Sequence, residues 1–414
     1  MIVGLDIGTK NIRVAIGDFD ENGNIYIAGT ASRKSAGVSK GCIVNIEETK
    51  NAIRDAVEMA EQNAGVEVSS VVTCVGGSEI SSTNSKGVVS VSQEGRKSRE
   101  ITDKDIARVI DSAQAVAIPM DRLRLHSIPR QYIVDGVGNI KNPINRIGVR
   151  LECELHLITA ARTIVENIQA TIGRAGYESN GVMFKSLATT HSVMQQDEME
   201  LGSILIDLGH GSTDVMVILG GTPVCSMSIP VGGDFVTNDI ALVKGISRET
   251  AEDIKETYGC CWMQGITMDS EVLIPGVGGQ APEQTYKSEI CQIVQPRMEE
   301  IFTLVRKEIM KNSSIKQLSG NIILTGGGAE MEGVVELAQA VFGTTAVRIG
   351  YPENLGGVEE DYRKPSFATA IGLVLANKNE NASRDSHKKR KIKNAKKAET
   401  NRESFWSKVK KSFF

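Results

Sequence analysis

GLDIGTKNIRVAI, residues 4–16, and LIDLGHGSTDVMVI, residues 205–218, decide how the chain is read. Each runs strand, Asp-x-Gly, a small hydroxyl residue, strand. Taken singly, an Asp-x-Gly-Thr turn is more often a plain hairpin. Two copies far apart in one chain mark an internal duplication, hence two similar lobes that face each other. The turn glycines let backbone N–H groups converge on one point, an anion-binding nest. Gly8, Thr9, Lys10 and Asn11 on one side and Gly209, Gly211, Ser212 and Thr213 on the other are the candidate contacts. Thr9, Ser212 and Thr213 add hydroxyl donors. Asp6 and Asp207, near the end of each first strand, suit a magnesium ion held largely through water. Two such turns would grip a polyphosphate from opposite sides.

A third element, ILTGGGAEMEG at 323–333, follows a buried strand. Gly326, Gly327, Gly328 and Ala329 let the chain lie flat against a ligand, and a helix start just beyond would offer its dipole. By itself a triple glycine is as often a loose loop. In the same half, Gly232, Gly233, Glu252 and Lys255 are the candidate contacts to a ribose and base. The order of all three elements, more than any one of them, points to a nucleotide.

Outward from these motifs the chain alternates strands and helices. Residues 1–32 read as three strands with hairpin turns. IEETKNAIRDAVEMAEQNAG carries apolar residues at 46, 53, 56, 57 and 60, a helical stripe stopped by Gly65. VSSVVTCVGG is a short buried strand. Residues 84–161 break the rhythm: strands GVVSVS, LRLHSIPRQYIV and GVRLECELHLIT flank one helix, TDKDIARVIDSAQAVA, as in a small inserted α+β subdomain. A helix at 162–175 and the strand GVMFKSLA resume the main body. After the second hairpin, helices are expected at about 233–243, 247–257 and 285–311, then strand, glycine turn and helix from 321, and a last apolar helix at 366–376.

At 414 residues, 41% apolar and 24% charged, the chain is globular and long enough for two to four domains. Its net charge of −4 hides a split. From residue 376 onward there are 13 Lys/Arg against 4 Asp/Glu, leaving 34 against 47 in the body. A basic tail on an acidic body implies an anionic partner. Seven scattered cysteines without CxxC spacing imply reduced thiols in a cytosol. The N-terminus has no signal-peptide pattern, and no apolar run approaches the roughly 20 residues that span a bilayer. Any membrane contact is expected at the cytoplasmic face.

Four of the eighteen aromatic residues fall in the last ten positions, in SFWSKVKKSFF at 404–414. Wound as a helix, Phe405, Trp406, Val409 and Phe413 share one stripe, while Lys408 and Lys411 lie opposite and Lys410 flanks them. That is the pattern of an interfacial helix on anionic lipid. A terminal helix docked on its own domain is the plainer reading. Residues 377–403, polar and basic without apolar period, favour lipid, because a leash of roughly 30 Å is needless for docking next door. A nucleic-acid tail would carry more arginine and spread-out aromatics.

In these motifs the chain resembles the actin-like ATPase superfamily. IPRQYIVDGVGNIKNP (128–143) with GVRLECELHLIT, PGVGGQAPEQ (275–284) with IVQPRMEEIF (293–302), and the terminal segment narrow the resemblance to the FtsA family of bacterial cell-division proteins. The resemblance implies an α/β, actin-like (ribonuclease H-like, duplicated) two-domain fold with an inserted α+β subdomain and a C-terminal amphipathic helix. Its expected limits are 1–83 with 162–200, an insert at 84–161, a second domain at 201–376 with an outer part at about 235–312, a linker at 377–403 and a membrane helix at 404–414. It further implies ATP with magnesium between the lobes, self-association into protofilaments, and other division proteins as partners. The C-terminal peptide of the tubulin-like FtsZ would bind near Arg297. Two departures stand out. Lys185 falls where such ATPases commonly place Gln or Glu to orient the attacking water, so tight binding with slow turnover is expected. Gln280 and Glu283 stand where arginine and a basic residue are usual. A phosphotransferase of the same fold is the alternative, but it would need a carboxylate base beside an acceptor pocket in the cleft, and Asp111, Asp121 and Asp135, all in the insert, fit a solvated role. A chaperone would need a substrate domain after residue 376.

Overall fold

The computed structural model describes residues 1–92, 98–276, 281–313 and 320–378. Two five-stranded sheets dominate it. The first has the spatial order Glu178–Phe184, Ser70–Val75, Ile2–Ile7, Asn11–Phe19, Ile25–Lys34. The second repeats the pattern with Val347–Ile349, Asn321–Thr325, Ser203–Leu208, Thr213–Leu219 and Thr222–Ile229. In both, the inner strand pairs antiparallel with its hairpin partner and parallel with its other neighbour. The duplication read from two turns therefore extends to whole sheets.

Each sheet is covered on both faces, which is why its central strands read as apolar runs. In Ser203–Leu208 the alternation of side chains sends Ile204, Ile206 and Leu208 toward Val236, Val294 and Phe302 on second-lobe helices. Leu205 turns the other way, into a cluster with Phe184, Val193 and Met194. The helix Ile46–Ala64 starts where the Asn45 side chain accepts from the amides of Glu47 and Glu48, and ends at Gly65 with φ 67°. It buries Ile53, Ala56, Val57 and Ala60 of the expected stripe, while Ile46 in its first turn is half-buried.

Two helices join the lobes. Lys185–Val193 leaves the first sheet and packs against the second, and Ala368–Ala376 returns to lie on the first. They cross at Gly372, where an added Cβ would lie 2.0 Å from the carbonyl oxygen of Ala188. Only glycine allows that approach.

The inserted sheet has the order Val137–Ile140, Arg122–Val134, Arg150–Ala161, Ile80–Ser90, all antiparallel, with the helix Asp103–Gln114 against it. Its first strand begins at Ile80, earlier than the GVVSVS stretch suggests. The polar run SSTNSK escapes notice because its outer face is met by polar partners: Ser82 Oγ donates to Ser226 O at 2.7 Å and Asn84 Nδ2 to Val224 O at 3.0 Å. A second difference lies in the glycine loop. Gly327–Glu330 forms a single 3-10 turn, and the α-helix starts only at Val334. Its N-terminal dipole is therefore not at the glycines.

Candidate functional site

The two hairpin turns are built alike. In the first, Ile7 faces Ile12 and Asp6 faces Arg13; in the second, Leu208 faces Thr213 and Asp207 faces Asp214. Both close with one bond, Gly8 N–H to Asn11 O at 3.1 Å and Gly209 N–H to Ser212 O at 3.0 Å. The turns also meet. An added Cβ on Gly211 would lie 2.6 Å from Thr9 Oγ1, and Thr9 Oγ1 in turn accepts from the Gly41 amide at 3.0 Å. Among the described residues, the amides of Thr9, Lys10, His210 and Gly211 make no hydrogen bond. All four residues line one cavity of about 240 Å³ between the lobes. Unpaired amides gathered on two turns are what an anion requires.

Below the turns lie three carboxylates and one ammonium. Asp6, Asp207 and Asp214 are 5%, 1% and 0% exposed. Lys185, first residue of its helix, places Nζ 3.2 Å from Asp207 Oδ2 and 3.9 Å from Asp214 Oδ2. Burial alone would push this ammonium toward neutrality; Asp207, Asp6 and Asp214 reverse that and hold it charged, above the ordinary lysine range. Burial raises the Asp6 and Asp214 carboxyls, against the pull of Lys185. Asp207 Oδ2 also accepts from Thr369 at 3.4 Å, whereas the buried Asp207 Oδ1 has no hydrogen-bond partner.

The outer wall comes from two second-lobe helices, Gly233–Lys244 and Arg248–Tyr258. Gly232 packs on the second turn: an added Cβ would sit 2.6 Å from Gly209 O, and the Gly233 amide donates to that same oxygen at 3.0 Å. Lys255 Nζ donates to Gly233 O, Thr237 Oγ1 and Glu252 Oε2 at 3.1, 2.9 and 2.7 Å. Glu252 Oε1 meets Lys10 Nζ, from the opposite lobe, at 2.5 Å, and Glu256 is a second partner of Lys10. Burial would raise the Glu252 carboxyl, but Lys255, Lys10 and Thr237 together lower it to about 2. His210 lies 3.3 Å from Asp234 Oδ1 and 3.7 Å from Glu252 Oε1. Burial, aided by the Lys255 charge, pushes its imidazole below the ordinary value.

Of the residues singled out in the sequence, all of the phosphate, ribose and magnesium candidates except Ala329 line this cavity. Ala329 is buried in the second-lobe core behind the glycine loop. At Gly327 an added Cβ would meet nothing within 4 Å. Ser212 Oγ donates to Asp214 at 3.2 Å and Thr213 Oγ1 to Val231 O at 2.8 Å, so these hydroxyls already serve the turn. Arg297 lies elsewhere. Its guanidinium pairs with Asp239, Nε at 2.6 Å from Oδ2, and with Glu300, and it stacks 5.7 Å from the Phe235 ring centre. Exposed Glu283 is 3.6 Å from Lys244 Nζ. Asp111, Asp121 and Asp135 are exposed in the insert and absent from the cavity wall. Gln280, the linker from 379 on, and the terminal residues Phe405, Trp406, Lys408, Val409, Lys411 and Phe413 lie outside the described residues.

Sequence reasoning missed Asp214, Arg13, His210 and Glu256 in the wall. Asp214 was open to discovery: it occupies, in the second hairpin, the register position of Arg13 in the first.

Residues 204–372 match the family model described as cell division protein FtsA, and residues 77–159 match that of the SHS2 domain inserted in FtsA. A cell division protein FtsA of Borreliella burgdorferi is 38% identical over 376 residues, covering 91% of this chain and 90% of that protein. Among solved structures, a PilM–PilN type IV pilus biogenesis complex aligns with TM-score 0.66 at 16% identity, over 91% of this chain and 98% of that one. MreB 5 of Spiroplasma citri bound to AMPPNP aligns with TM-score 0.53 at 14% identity, over 93% and 98%. The fold is actin-like. Among the described residues no helix is long and apolar enough to cross a membrane.

Proposed function

This chain belongs to the FtsA family of cell-division proteins, and we propose that it is an ATP-gated adaptor that joins FtsZ filaments to the inner face of the cytoplasmic membrane at the division site. The observation that supports nucleotide binding most is the meeting of the two turns, with free amides of Thr9, Lys10, His210 and Gly211 on a single cavity. The amides and the Gly326–Gly328 loop take the phosphates, and Gly232, Gly233, Glu252 and Lys255 take the ribose and base. The partnerless Asp207 Oδ1 suits water-mediated contact with magnesium, and Asp6 and Asp207 are the residues that would hold it. Bound there, the ion supplies counter-charge to the phosphates. Lys185 offers no acceptor to orient an attacking water, so turnover is slow. A neighbour of the same fold was crystallised with AMPPNP, in keeping with this reading.

The basic tail supplies the membrane contact. Burying a large apolar side chain contributes roughly 1.5–3 kcal/mol and each lysine about 1 kcal/mol near anionic lipid. Folding on the surface offsets much of that, so one tail binds reversibly. Several tails on one protofilament gain a factor of about 10² to 10⁴, and assembly and membrane attachment reinforce each other. FtsZ tail peptide docks on the outer part of the second lobe near Arg297. The phosphotransferase alternative is not favoured, because the likeness to FtsA proteins runs over about nine-tenths of the chain. Co-sedimentation with anionic vesicles, with and without ATP and the FtsZ tail peptide, tests the adaptor reading. Binding that rises with ATP and recruits the peptide supports it; indifference to both contradicts it.

A further inference from the structure

Lys185 does more than omit a hydrolytic residue. Its ammonium is held at the floor of the cavity, 3.2 Å from Asp207 and 3.9 Å from Asp214. An added Cβ on Gly209 would lie 3.7 Å from the same nitrogen, so the ammonium also sits directly under the second turn. Among the described residues Asp207 and Asp214 are its acidic neighbours within 4 Å, and Asp6 adds its charge from farther off. Asp214 is fixed by Ser212 Oγ at 3.2 Å and by the Gly77 amide at 3.4 Å, and Asp6 by Cys74 Sγ at 3.5 Å. Such a cluster in a cleft needs a compensating cation. In this chain the cation is covalently part of the helix Lys185–Val193.

We infer that Lys185 is a built-in counter-cation that takes over much of the charge compensation a divalent metal would give, and so makes nucleotide retention largely independent of magnesium. The inference rests on the nucleotide reading above and sharpens it. Two effects act together. The ammonium neutralises carboxylates that would repel the terminal phosphates of a nucleotide. Its positive charge also weakens the hold of Asp6 and Asp207 on a nearby divalent ion, since like charges a few ångströms apart in a poorly solvated site repel strongly. Both lower the ratio between affinity with magnesium and affinity without it. A chain with a neutral residue at position 185 would leave three carboxylates facing the phosphates and depend on the metal to bridge them.

The test is equilibrium binding of a fluorescent ATP analogue to the full-length protein, in magnesium and in excess chelator. For the unaltered chain, chelation should weaken binding less than about threefold, whereas for Lys185→Gln it should do so by about tenfold or more, a difference set by one lost unit charge. Lys185→Arg keeps the charge and should behave as the unaltered chain does. A tenfold loss in the unaltered chain overturns the inference, and so does a Lys185→Gln variant as indifferent to chelation as its parent. If Lys185→Gln does not fold, the unaltered chain's own ratio decides. Absence of binding even with magnesium would instead overturn the nucleotide reading itself.

Discussion

Lys10 and Glu252 face each other across the cleft, Nζ to Oε1 at 2.5 Å, and tie the first hairpin turn to a second-lobe helix. Their side chains are 24% and 15% exposed, so the pair is only partly screened by solvent. Both residues line the cavity, and the pair spans it from one lobe to the other. Lys10→Ala should therefore speed release of a bound fluorescent ATP analogue by about tenfold, roughly 1.4 kcal/mol, with binding in magnesium still detectable. A stopped-flow chase measures it, and an unchanged release rate would show that the pair is no clasp.

The seam between the insert and the second lobe should be acid-sensitive. His156 is fully buried. Asn84 Nδ2 donates to Val224 O, so Asn84 Oδ1 accepts from His156 Nδ1–H at 2.8 Å, leaving Nε2 to accept from Ser226 Oγ at 2.9 Å. Both nitrogens are used by the neutral ring, and burial lowers its pKa from 6.5 to about 4. Between those values the unfolded chain takes up a proton that the folded ring refuses, so stability falls as pH drops through this window. The loss attributable to His156 is at most about 3 kcal/mol. Urea unfolding at pH 7 and pH 4.5 should show a smaller difference for His156→Gln; an equal difference contradicts the assignment.

The hairpins were legible in the sequence because their chemistry is local: a fixed register places Asp6 and Asp207 alike, and glycine signals the turns. The helix at Ile46–Ala64 was legible for the same reason, with stripe and stop both in view. What the two turns do together was not. The contact of Gly211 with Thr9, and the reach of Lys10 to Glu252, exist only once distant segments pack. Lys185 stood out in the sequence as a missing acceptor; its seat beside Asp207 and Asp214 exists only in the folded chain. The strand from Ile80 was hidden because its polar face is covered by hydrogen bonds to another lobe. Ala329 turns into the second-lobe core because it sits in the 3-10 turn Gly327–Glu330, which the sequence pattern does not announce.

The crossing of the two connecting helices leaves no room for a methyl group. Gly372→Ala would put a Cβ 2.0 Å from Ala188 O in the present backbone, so the helices must separate. Overpacking of this kind costs about 1–3 kcal/mol. The expected result is a lower melting temperature together with weaker nucleotide binding, because the same helix pair sets the distance between the lobes. A variant that melts with the parent would mean the crossing relaxes freely.

The membrane reading of residues 404–414 stands on one aromatic stripe. Trp406→Glu places a charge in that stripe and should abolish flotation with anionic vesicles, while ATP binding is unchanged. Flotation equal to the parent's would rule out the tail as anchor.

The central claim is that two turns from opposite lobes close on one triphosphate. Hydrogen–deuterium exchange of the full-length protein, with and without ATP and magnesium, tests it most directly. The account predicts simultaneous protection of Gly8–Asn11 and Gly209–Ser212, whose free amides gain phosphate partners in a single step. Protection of one turn alone, or of neither while ATP binds elsewhere, would contradict it.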